Sequence, residues 1–178
     1  MSLKQLEQTQ PLELHWRAFE LRPSGAPPLP AEYRARIEAN QPLFAARVKR
    51  DYGVEINQGP FDINTRALHQ LKKFADAQGK GNEFQQAALD AYWLRAQDVS
   101  AASTQQALLA QAGLTTPVAD ILADENYLRA VLLDEQLAQA NEINGVPALV
   151  FAEKYLVVGA QPLNVLQQVA AQVRAEQT

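Results

Sequence analysis

The chain has 178 residues, 47% of them apolar and 20% charged, with a formal net charge of −4. That length carries one compact core, or a small sheet unit with a helical insertion, but not two full domains. Interspersed charge with an acidic excess gives no basic stripe for a phosphate backbone, which argues against nucleic acid as a partner. No uncharged apolar run approaches the roughly 20 residues of a membrane span. The sequence has no cysteine, so disulfides and thiolate chemistry are excluded within these residues. His15 and His69 are too few and too far apart for a metal site of ordinary spacing. The opening MSLKQLEQTQ lacks the apolar centre of a secretory signal, and a cytoplasmic location is expected.

Leu12, Leu14 and Trp16 alternate with Glu13, His15 and Arg17, the period of two that predicts a half-buried strand over residues 12–19. The proline-rich LRPSGAPPLP that follows is a loop. Residues 31–52 have helical character, but Pro42 falls where it would break a helix interior. Two short helices are predicted there, with Gly53 closing the second. After NQGPFDI, Asn64 is placed to cap a helix whose Ala67, Leu68, Leu71, Phe74 and Ala75 share a face and which ends at Gly79.

Asn82 opens a further helix carrying Phe84, Ala87, Ala88, Ala91, Tyr92 and Arg95, and Ser103 caps a short one ending at Gly113. Thr116 followed by Pro117 starts another, and Asp124 caps a long helix bearing Tyr127, Leu128, Val131, Leu132 and Ala138. The character changes at Gly145, where VPALVF and YLVVG are β-rich runs joined by residues 152–154, a predicted hairpin. Pro162 begins a final amphipathic helix with Leu163, Leu166, Val169, Ala170 and Val173 on one side. Tyr92 and Trp93 are assigned to the core, and Arg47, Lys49, Arg50, Lys72 and Lys73 to solvated helix faces.

Gly145-Val146-Pro147 leads into a strand, a hairpin and a closing helix, with DENYLRAVLLDEQLAQANEIN before it and VVGAQP after. This arrangement resembles the DsbA family of thiol-disulfide oxidoreductases, in particular its FrnE-like branch. The segments LELHWRAFELRP and INTRALHQLKKFA are similar to the same branch. The resemblance implies an α/β, thioredoxin-like (DsbA-like) sheet. Residues 1–30 and 145–178 would form the thioredoxin-like portion, and residues 31–144 a large all-helical insertion with its connecting helix. Members resembling this sequence have a strand ahead of LELHWRAFELRP that delivers a Cys-x-x-Cys motif to a helix N-terminus. Residues 1–10 are too short for both elements. That first strand is therefore expected to be missing, leaving edges that a homodimer could satisfy by twofold strand exchange.

The resemblance also implies a cis Val146–Pro147 peptide, with Val146 offering its N–H and C=O to an extended thiol or disulfide peptide or to glutathione. On the residues alone, Pro147 reads as a trans proline at the start of a strand. Asn64 and His69 would border the same groove; the other reading is an Asn cap and a partly buried histidine held by one hydrogen bond. Thr65 lies one turn before His69 and shares its face. Trp16 and Phe19 are candidates for an apolar groove wall, or else for sheet packing. No catalytic residue is assigned, because dithiol exchange needs a thiolate. The implied function is a DsbA/FrnE-like disulfide oxidoreductase family member, inactive in dithiol exchange as this cysteine-free chain. The alternatives are a glutathione-dependent isomerase or transferase of the 2-hydroxychromene-2-carboxylate isomerase or kappa type, or a non-catalytic peptide-binding module.

Overall fold

The computed structural model describes residues 2–23 and 25–177. The chain opens with helix α1 (Ser2–Thr9), whose Leu6 is buried. One well-placed apolar side chain anchors this largely polar helix against the final helix, α8 (Leu163–Gln177), where Leu166 and Ala170 are buried. The strand predicted over residues 12–19 does not form; the stretch is irregular and pairs with no strand. A strand exists only through its ladder, and here the backbone turns to helix side chains instead, as when the Ala18 N–H donates to Asp134.

Residues 31–52 form one helix, α2 (Ala31–Tyr52), with Pro42 inside it, and not the two predicted. Proline removes the bond to the carbonyl four residues back, here that of Glu38. Glu38 is exposed and α2 buries no residue, so water can reach the freed carbonyl. Gly53 ends the helix as predicted: its φ of 68° is left-handed, and its N–H returns to the Lys49 carbonyl at 2.9 Å.

The main core is built from α3 (Arg66–Ala77), α4 (Gly81–Trp93), α5 (Ala102–Gln111) and α6 (Val118–Ala123). Leu71, Phe74 and Ala75 of α3 meet Phe84, Ala88 and Ala91 of α4, Leu108 and Leu109 of α5, and Ile121 of α6 in one buried cluster. Helix α7 (Glu125–Ala140) closes over α3, with Tyr127 edge-on to Phe74 at 5.7 Å between ring centroids. Its start is as predicted: Asp124 Oδ1 accepts from the Asn126 N–H at 2.9 Å. Other starts shift slightly. Thr65, not Asn64, stands at the N-cap of α3, and Ser103 lies inside α5.

The sheet is the predicted hairpin, β1 (Ala148–Phe151) antiparallel to β2 (Tyr155–Val158), in register Ala148 to Val158 and Phe151 to Tyr155. Ala152 and Glu153 turn the chain with φ of 49° and 57°. Helix α8 packs against β1. On the outer face Val150, Leu156 and Val158 remain exposed.

Candidate functional site

Residues 16–20 are held against α3 and α7 by buried charge. Asp134 of α7 has a side chain only 4% exposed and accepts three donors. These are the Ala18 N–H at 2.8 Å, Arg17 Nη1 at 3.1 Å and Lys73 Nζ of α3. Two residues on, Glu20 is buried and takes Arg66 Nε on its Oε1 at 2.5 Å. Buried carboxylates persist when paired and hydrogen-bonded, and here the pairing replaces the sheet ladder that the segment lacks.

His69 stands in the same place. Its Nε2 lies 3.3 Å from Thr65 Oγ1, the one-turn relationship read from the sequence, and the Phe19 carbonyl is within reach of its ring. Burial holds its pKa below the usual histidine value, against the pull of Glu20, the Phe19 carbonyl and Asp134. Asn64 is exposed and spends its Oδ1 on the Arg66 N–H at 2.9 Å, so it supports the first turn of α3. Trp16 is exposed and Phe19 half-buried. Glu135, beside Asp134, has its pKa raised by burial first and the Glu20 charge second.

Phe19, His69 and Thr65 thus come together, with Asn64 adjoining through Arg66. Among the described residues no hydrogen bond or ring contact joins Val146 or Pro147 to Trp16, Phe19, Asn64 or His69. Val146 is exposed, the Val146–Pro147 peptide is cis, and the Pro147 carbonyl accepts from the Gly159 N–H at 2.8 Å.

Lys72 and Lys73 are not the solvated residues expected from sequence. Lys72 is buried and pairs with Asp76 at 2.6 Å, while Lys73 is drawn in by Asp134. Sequence reasoning also missed Glu20, Arg66, Asp134 and Glu135. The available signal was the spacing of Arg66, His69 and Lys73, which puts three basic side chains on one stripe of α3, opposite the adjacent acids of α7.

Among the described residues no group of three or more His, Cys, Asp or Glu side chains could hold a metal ion. No helix among them is long and apolar enough to cross a membrane.

A hairpin backed by a closing helix, after a run of helices, matches the C-terminal part of a thioredoxin-like fold with a large helical part, and comparison with known proteins establishes that fold. The DSBA-like thioredoxin domain matches residues 1–171, and the chain belongs to that family. The solved structure of a probable DsbA oxidoreductase from Streptomyces coelicolor is similar, with a TM-score of 0.83 and 26% identity. The match covers 99% of this chain and 83% of that one. No curated protein matches.

Proposed function

We propose that these residues form the substrate-facing part of a FrnE-like member of the DsbA family. They bind an extended thiol or disulfide peptide along Val146 and the free edge of β1, and perform no dithiol exchange themselves. The supporting observation is Val146, 55% exposed and immediately ahead of β1, whose only strand partner among the described residues is β2. An extended peptide would add to that edge through main-chain hydrogen bonds, with alternate side chains resting on the apolar outer face. The inertness follows from chemistry: exchange proceeds by attack of a thiolate on a disulfide sulfur, and the sequence has no cysteine.

Titration of the isotopically labelled chain with a short extended disulfide peptide, followed by amide NMR, tests the binding. Shifts clustered over residues 145–151 are expected; shifts confined to other surfaces would overturn the reading. Shifts there with glutathione but not with the peptide would favour the glutathione-dependent alternative. In an insulin-reduction assay the pure chain should not exceed the blank, and turnover above it would refute the inertness.

A further inference from the structure

Two buried carboxylate oxygens lack hydrogen-bond partners, and they occur side by side. Glu20 Oε2 and Glu135 Oε1 each find no donor, the Glu20 side chain is 1% exposed, and the two carboxyl groups lie within hydrogen-bonding reach of one another. Ionised together, they would place two like charges in a poorly solvated site and leave both oxygens unsatisfied. One proton removes both faults, because a carboxylic acid on one residue donates to the carboxylate of the other in a charge-assisted O–H···O bond.

We propose that Glu20 and Glu135 bind a single shared proton in the folded protein, and that this proton locks residues 17–20 to α7. Arg66 decides where it sits. Its Nε already donates to Glu20 Oε1, whereas burial raises the Glu135 pKa, so the proton resides on Glu135.

The groups facing the pair agree with this placement. Arg66 of α3 and the Glu20 backbone N–H oppose protonation of Glu135, but burial, the Glu20 charge and the Glu20 carboxyl outweigh them. His69 is kept neutral more readily by burial. Lys73 of α3 and Arg17 of the segment itself are engaged by Asp134 of α7. The Glu135 pKa is raised, so the folded protein holds the proton more tightly than the unfolded chain does. The stability it contributes is full at acid pH, below the ordinary carboxylate value, and is lost as pH rises through the folded-state value. Deprotonation then sets two carboxylates against each other, and the segment carrying Phe19 loosens from α7. This device stands independently of peptide binding at Val146.

Carbon-detected NMR of glutamate side-chain carboxyls tests it directly. One carboxyl should remain protonated at pH values where the other glutamates have ionised; that signal should be absent from Glu135→Gln and should ionise at lower pH in Glu20→Gln, where burial alone remains to hold the proton. Ordinary titration of both residues would overturn the proposal. Denaturant midpoints measured from about pH 4 upward give a second readout, since the loss opens above the ordinary carboxylate value. The parent chain should lose stability as pH rises through the folded-state value of Glu135. Glu135→Gln, whose amide N–H donates to Glu20 without titrating, should have a flatter profile. Parallel profiles would also overturn the proposal. Should Glu135→Gln fail to fold, the parent carboxyl spectrum decides alone.

Discussion

Replacing Asp134 with alanine removes the acceptor of the Ala18 N–H and the counter-charge of Lys73 in one step. Both are left where water scarcely reaches, since the Asp134 side chain is 4% exposed and that of Lys73 16%. Arg17, whose side chain is 63% exposed, can turn to solvent and adds little. An orphaned buried N–H costs about 1–3 kcal/mol. Removing one partner of a buried ion pair costs about 3–5 kcal/mol, a figure that already includes the groups left behind. The two ranges therefore overlap and do not add. Lys73 keeps some access to water, which sets the expected loss near the lower end, about 3 kcal/mol. Asp134→Asn keeps an oxygen for Ala18 and gives up only the charge, so about 1–2 kcal/mol is expected. Urea unfolding monitored by circular dichroism measures both variants. Trp16 fluorescence, in a Trp93→Phe background, reports whether the segment lets go before the helices melt. A loss below about 1 kcal/mol for Asp134→Ala at unchanged m, or equal losses for alanine and asparagine, would refute the account of how residues 16–20 are held.

His69 titrates below the ordinary histidine value because it is buried. Its contribution is therefore intact above that value and lost as pH falls through the folded-state one. His69→Gln should flatten the acid limb of the stability profile, and an unchanged limb would contradict this. A Cβ on Gly59 would lie 2.5 Å from the Gln97 carbonyl oxygen and 2.7 Å from the Tyr92 ring. Gly59→Ala should therefore cost about 1–3 kcal/mol in thermal or urea unfolding, and a neutral result would show that the loop yields freely. Pro42→Ala restores an N–H to the exposed interior of α2, which should slow hydrogen exchange across residues 38–46. Unchanged exchange would mean the proline is already accommodated.

Elements whose signals are local were legible in the sequence. Asp124 caps α7, Gly53 closes α2, and the β-rich runs around residues 152–154 form the hairpin, because capping, left-handed turns and β-propensity act within a few residues. The alternation over residues 12–19 misled because period two is necessary for a strand but not sufficient. Without a ladder partner that backbone was claimed by Asp134 and His69. Pro42 misled because the cost of an interior proline depends on whether water can reach the freed carbonyl, which only the exposure of α2 reveals. Of the candidate site, the shared face of Thr65 and His69 followed from helical spacing. The burial of Glu20, Lys73 and Asp134 did not, since charged residues go inside only when opposite partners from distant parts of the chain arrive with them.

The placement of the core also bears on the order in which these residues assemble. Every residue of the main buried cluster falls between Leu71 and Ile121, so that cluster closes through loops that are short relative to the chain, and it is complete before α8 has been synthesised. Short-range closure favours early and rapid formation. Helix α1 has the opposite history: among these residues it leaves the ribosome first, while α8, against which it packs, leaves last. Leu6 therefore gains its cover only after α8 has been made, so the α1–α8 contact closes later than the main cluster can.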